Sequence, residues 1–131
     1  MLSIDAELAG RRVLVIEDES FVLMLLEDTL AEIGCEVAGT ASRVGEALDK
    51  LNSLLFDVAI LDVNLNGSQT LEVAARLAQA GVPFVFATGY GAASLLSHFE
   101  GVPILQKPFQ QCDLEGALRL ALARRADAGQ A

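Results

Sequence analysis

Side chains that can bind a metal ion or a phosphate follow four of the short apolar segments in this sequence. Glu17 and Asp18 follow the first such segment, Asp62 follows the third, Thr88 ends the fourth and Lys107 comes soon after the fifth. Carboxylates held within a few ångströms of one another repel strongly in a partly dry site unless a hard divalent cation lies among them. Mg²⁺ prefers about six oxygen ligands, usually one or two carboxylates with water and phosphate oxygens. If the fold brings the three acids together, they predict a Mg²⁺ site.

Beside such an ion, Asp62 would be a nucleophile able to form an aspartyl phosphate. The ammonium of Lys107 and the hydroxyl of Thr88 are donors suited to the charge on transferred phosphoryl oxygens. Taken singly, Asp62 is equally explained as a cap or turn residue, Thr88 as a turn hydroxyl and Lys107 as a solvated charge. The occurrence of all these residues in this order, each after a strand, favours the functional interpretation.

The elements that must position these residues alternate between strand and helix. Segments such as 12–16, which is apolar throughout after Arg12, are typical of strands buried on both faces of a sheet, and apolar residues at helical spacing follow them. Five such repeats indicate a parallel sheet with helices on both faces, in which ligands lie beyond the carboxyl ends of the strands. Strands are predicted over 12–16, 35–40, 56–61, 82–87 and 102–105, and helices over 20–33, 44–54, 70–80, 88–99 and 114–124.

Several local features are predicted within these elements. Gly34 is placed to end the first helix in a left-handed conformation, and Ser42 to cap the second. Phe21 and Met24 are expected to face the core from the first helix. Residues 126–131 are expected to form a frayed end.

Composition limits the function further. The chain of 131 residues fits one domain, and a formal charge of −9 argues against nucleic-acid binding. Cys35 and Cys112 lack the paired spacing of a zinc site, so small apolar roles are expected for them. His98 has no second imidazole to pair with and is expected on the surface. Because no segment approaches the ~20 apolar residues of a membrane span, a cytoplasmic location is expected.

The motifs together resemble a known family. Val13-Leu-Val-Ile-Glu-Asp18, Leu61-Asp-Val-Asn64, Ala87-Thr-Gly89 and Lys107-Pro-Phe109 are similar to the receiver domain of bacterial two-component response regulators. The resemblance covers about Arg12 to Arg124. It implies a flavodoxin-like, doubly wound α/β fold with a five-stranded parallel sheet in strand order 2-1-3-4-5.

The resemblance also implies roles for individual residues. Asp62 matches the phosphoacceptor, and Glu17 and Asp18 match the acidic pair, with Asp18 binding Mg²⁺ directly. Asn64 would give its backbone carbonyl to the metal. Thr88 matches the switch hydroxyl and Lys107 the phosphate-binding lysine, and the peptide bond before Pro108 is commonly cis in the family.

The sequence departs from the family pattern at three points. Glu17 stands where most receivers have Asp, and its extra methylene suggests contact with Mg²⁺ through water. The loop 64–67 is shorter than usual and lacks the common proline. Ile104 stands three residues before the lysine, where the family has its aromatic switch residue.

A subgroup of single-domain receivers carries Phe-Ala-Thr-Gly-aromatic, which Phe86-Ala-Thr-Gly-Tyr90 resembles. One hypothesis is that Tyr90 replaces the missing switch aromatic, and Gly89 beside it makes the loop easy to rearrange. A loop tyrosine half packed on the surface is an equal alternative. With these residues, Ile104, Pro108 and Phe109 make up the predicted switch and partner surface.

The resemblance implies a stand-alone receiver over residues 12–125, with 1–11 as an N-terminal segment, 126–131 as a tail and no output domain. Its donor would be a sensor histidine kinase or histidine phosphotransferase. It would act as a signalling domain rather than an enzyme, by protein contact or phosphotransfer, as a monomer or weak dimer. The alternatives are an adaptor that works without phosphorylation, or a Mg²⁺-dependent phosphatase that uses an aspartyl nucleophile.

Overall fold

A computed structural model describes residues 7–63, 70–89, 99 and 101–130, with backbone alone for 125–130. The strands are β1 (Arg12–Ile16), β2 (Glu36–Ala41), β3 (Val58–Asp62), β4 (Phe84–Thr88) and β5 (Ile104–Gln106). The helices are α1 (Ser20–Glu32), α2 (Val44–Ser53), α3 (Thr70–Gln79) and, after β5, α4 (Gln111–Gln130). The helix predicted over 88–99 falls mainly outside the described residues.

The five strands form one parallel sheet in the order β2-β1-β3-β4-β5. This confirms the predicted doubly wound α/β class and strand order. Parallel pairing places every strand's carboxyl end at one edge. The order reverses between β1 and β3, where ligands bind in open sheets of this kind.

Successive side chains of β1 point to opposite faces of the sheet, as in any strand. Val13 and Val15 pack into a core shared with α1 and α4. Leu14 and Ile16 pack into a second core shared with α2 and α3. All four side chains are fully buried, which explains why residues 13–16 are all apolar.

Helix α1 buries a different face from the one expected. Phe21 and Met24 are 76% and 55% exposed, so their predicted core positions are wrong. The helix buries Leu26, Thr29 and Leu30 instead. Residues 21–26 are all apolar, so helical spacing did not determine which of them face the sheet.

Element ends also differ in part from the predictions. Gly34 follows α1 with φ of 91°, as expected. The Ser42 side chain does not cap α2. The helix cap is Arg43 without a side-chain hydrogen bond, and the Ser42 backbone N–H donates to the Glu46 carboxylate at 2.9 Å.

Both ends of the described chain are more ordered in the fold than expected, one by burial in the core and the other by helix formation. Leu8 is fully buried in the core under α1 and α4, although residues 1–11 were expected to form an N-terminal segment outside the receiver. Helix α4 runs from Gln111 to Gln130, beyond both predicted ends and through the residues expected to fray. None of the helices in the described part of the chain is long and apolar enough to span a bilayer.

Candidate functional site

The site lies at the carboxyl edge of the two central strands. Ile16 of β1 pairs with Leu61 of β3, so the next residues, Glu17 and Asp62, are neighbours on adjacent strands. Asp18 follows directly, before α1 begins. Residues 45 positions apart are therefore brought together by strand pairing.

Glu17, Asp18 and Asp62 form an acidic cluster. Each offers one carboxylate oxygen, and these oxygens lie within 4.8 Å of one another. Glu17 is 1% exposed and Asp62 is 3% exposed, while Asp18 is half-buried. Three oxygen donors at this spacing, two of them shielded from water, fit the preference of Mg²⁺ for carboxylate ligands.

Lys107, the residue after β5, faces the cluster. Its Nζ lies 3.0 Å from Oε1 of Glu17 and 3.3 Å from Oδ1 of Asp62. Its backbone N–H donates to the carbonyl of Thr88 at 2.8 Å, which ties the end of β5 to β4. The following bond to Pro108 is cis, as the resemblance implied.

Burial changes the acidity of the site. Desolvation raises the pKa of Glu17 to about 7. The neighbouring Asp62 carboxylate adds to this effect, while the hydrogen bond from Lys107 opposes it. For Lys107, burial alone lowers the pKa, but the Glu17 hydrogen bond and the two negative charges outweigh it and raise the pKa overall. The ammonium is therefore held in its charged form.

Both carboxylate oxygens of Glu17 accept hydrogen bonds. Oε1 accepts from Lys107 at 3.0 Å, and Oε2 accepts from the backbone N–H of Glu19 at 3.2 Å. The longer side chain of Glu, compared with Asp, is thus held by two donors.

Thr88 is the last residue of β4, one position beyond Ala87, which pairs with Asp62. The fold thus places the predicted hydroxyl residue at the same edge as the acids. Asn64, Tyr90 and His98 lie outside the described residues, so their predicted roles stay predictions.

The remaining residues of the predicted partner surface are spread around β5. Ile104 is 51% exposed, Pro108 is exposed, and Gly89 is half-buried after β4. Phe109 is half-buried and packs against the core under α1 and α4. A cavity of about 600 Å³ lies beside Ile104, between β5 and α4.

Thr70 is a residue at this edge that sequence reasoning missed. It is 4% exposed, and its hydroxyl donates to the backbone carbonyl of Asp62 at 3.3 Å. The available signal was a hydroxyl residue at the predicted helix start, eight positions after the predicted nucleophile.

Comparison with known proteins identifies the family of the chain. The family model described as the response regulator receiver domain matches residues 13–119. The chain is 32% identical over 125 residues to the transcriptional regulatory protein PdtaR of Mycobacterium tuberculosis, an alignment that covers 92% of this chain and 61% of PdtaR. The chain thus spans less than two thirds of that relative's length.

Among solved structures, the chain is similar to the solution structure of SdrG from Sphingomonas melonis Fr1. The TM-score is 0.78 at 39% identity, and the match covers 90% of this chain and 99% of that one. It is also similar to the BeF₃-activated conformation of SdrG from Pseudomonas melonis Fr1, with a TM-score of 0.75 at 41% identity over 87% of this chain and 98% of that one.

Proposed function

Because the chain belongs to the response regulator receiver domain family of two-component signalling, we propose that Asp62 accepts a phosphoryl group from a phosphohistidine. The donor would be a sensor histidine kinase or a histidine phosphotransferase. The observation that carries the proposal is the position of Lys107 Nζ, 3.3 Å from the buried Asp62 carboxylate. A cation fixed there would stabilise the negative oxygens of a phosphoryl group joined to Asp62.

Mg²⁺ is the cofactor that this reaction requires. Asp18, Asp62 and the backbone carbonyl of Asn64 would be its protein ligands. Glu17 would contact it through water, because both of its oxygens already accept hydrogen bonds. When bound, Mg²⁺ neutralises the phosphoryl oxygens and orients them for transfer.

In the transfer, an oxygen of the Asp62 carboxylate forms a bond to phosphorus as the phosphorus–nitrogen bond of the phosphohistidine breaks. The electron pair of the broken bond stays on the imidazole nitrogen. Lys107 and the Thr88 hydroxyl donate to the phosphoryl oxygens. Such a reaction depends mainly on positioning and electrostatic stabilisation, which the rigid ends of four parallel strands supply.

An exposed apolar surface beside the site supports a protein donor. Phe21, Met24 and Leu25 of α1 are 76%, 55% and 41% exposed and lie at i, i+3 and i+4, on one side of the helix. We name these three residues the α1 patch. The helix begins two residues after Asp18, so a protein bound to the α1 patch would reach the acidic cluster.

The cavity between β5 and α4 would be a second binding surface, used by a downstream protein. Ile104 and Leu120, 51% and 60% exposed, line it together with Pro108. The receiver would be residues 12–125, located in the cytoplasm as a monomer or weak dimer. It would pass its signal by contact at this surface or by a further phosphoryl transfer.

Beryllofluoride, which mimics a phosphoryl group on Asp, tests the proposal. We expect that adding it with Mg²⁺ shifts the amide resonances of β3, β4 and β5 in the NMR spectrum of the whole chain. Asp62→Asn, which keeps the size of the side chain but removes its charge, should show no such shifts. An unchanged wild-type spectrum would favour the adaptor alternative instead.

A further inference from the structure

Thr70 differs from the other buried polar side chains in the described part of the chain. The others are Glu17, Thr29 and Asp62. Glu17 and Asp62 belong to the acidic cluster. The hydroxyl of Thr29 donates at 2.8 Å to Leu25, one turn back in its own helix. Thr70 instead donates from the start of α3 to the residue predicted to react.

The bond from Thr70 joins both ends of the chain segment 63–69. Its acceptor is the backbone carbonyl of Asp62, and Thr70 is the first residue of α3. The carbon of this carbonyl is bonded to the Cα of Asp62, and the reactive carboxylate is joined to the same Cα through Cβ. Holding the peptide group therefore fixes the position from which the carboxylate extends.

We propose that Thr70 is a positioning residue of the phosphoacceptor: its hydroxyl fixes the end of β3 so that the Asp62 carboxylate points at the incoming phosphorus. This inference rests on the proposed function. Reactions that depend on positioning are sensitive to small displacements, so loss of one anchoring bond should slow transfer without unfolding the protein.

The test uses two substitutions that separate the hydroxyl from the methyl group. Thr70→Val removes the hydroxyl and keeps the shape, and Thr70→Ser keeps the hydroxyl and removes the methyl. The measurement is the rate of modification by acetyl phosphate at saturating Mg²⁺, followed by intact mass. Because the chain has no tryptophan, Mg²⁺ affinity is measured by calorimetry rather than by intrinsic fluorescence.

We expect Thr70→Val to react about fivefold more slowly, the effect of one neutral hydrogen bond, while Thr70→Ser stays within about twofold of wild type. Thr29→Val is the matched control, because it removes a hydroxyl of another buried threonine that bonds within its own helix, and it should react at the wild-type rate. If Thr70→Val does not fold, Thr70→Ala removes the same hydroxyl with less bulk.

Equal rates for wild type and Thr70→Val would overturn the inference while leaving the proposed function intact. So would a Thr70→Ser variant as slow as Thr70→Val, because the methyl group would then be responsible. A purely structural role would lower the free energy of unfolding in the variants and leave the rate of the folded protein unchanged. A wild-type chain that takes up no phosphoryl group would overturn both proposals.

Discussion

Glu17 carries a carboxyl group whose acidity is changed by folding. Desolvation raises its pKa from 4.5 to about 7, so between these values the folded chain holds a proton that the unfolded chain has released. The resulting stabilisation is fully present below about pH 4.5 and is lost as the pH rises through about 7. Lys107 has its pKa raised from 10.5 and does not titrate in this range.

We therefore expect the metal-free protein to lose on the order of 2–3 kcal/mol of unfolding free energy from this group between about pH 5 and pH 8. Urea unfolding in the presence of a chelator, repeated across this pH range, measures the free energy of unfolding. The Gln side chain of Glu17→Gln has a similar shape and cannot titrate, so the loss of unfolding free energy in that variant should be smaller by this amount. Parallel profiles for the two proteins would show that Glu17 is not the group responsible.

At the scale of single residues, the sequence predicted the site because each residue lies at a strand end. Glu17 and Asp62 are close because β1 pairs with β3, and Lys107 reaches both of them from the far side of β4. The bond from Thr70 to Asp62 could not be predicted. It depends on how the chain returns from β3 to the start of α3, which residue spacing does not determine.

At the scale of elements, helix α1 carries an exposed apolar surface in addition to the face that packs in the core. Its sequence is apolar at 21–26, and the fold uses only part of that apolar surface for packing. The exposed remainder, the α1 patch, lies on the helix that begins two residues after Asp18. The helix also carries Glu27, Asp28 and Glu32 and has no Lys or Arg, so a partner with an apolar face bordered by basic residues would fit it.

We expect Phe21→Ala with Met24→Ala to slow phosphoryl transfer from a phosphorylated histidine phosphotransferase roughly tenfold, the cost of losing one or two apolar anchors at an interface. Acetyl phosphate needs no docking surface, so its rate should not change. Leu55→Ala is the matched control, since Leu55 is 86% exposed and lies just before β3, at the opposite edge of the sheet. An equal loss with both phosphoryl donors would mean that the α1 patch shapes the site rather than binding a protein.

The types and order of the elements were predictable, and the choice of helix face was not. Alternation and helical spacing located all five strands and the four described helices, with ends shifted by a few residues. For α1, six consecutive apolar residues left the buried face undetermined. The folded chain identifies that face by the burial of Leu26, Thr29 and Leu30.

For the molecule as a whole, strand order creates the site. β2 lies at one edge of the sheet, on the other side of β1, so the chain returns past β1 and places β3 next to it. Four separate strand ends then converge on one small volume. The net charge of −9 is a separate property, since the local ammonium of Lys107 acts on a phosphoryl group at much shorter range than the overall field, as would a divalent cation held by the acidic cluster.

The most direct test of the central claim is to treat the chain with acetyl phosphate and Mg²⁺ and to measure its intact mass, followed by mapping of the modified residue. We predict the addition of one phosphoryl group, on Asp62, that requires Mg²⁺ and is absent from Asp62→Asn. A chain that gains no mass, or that carries the group on another residue, would contradict the account.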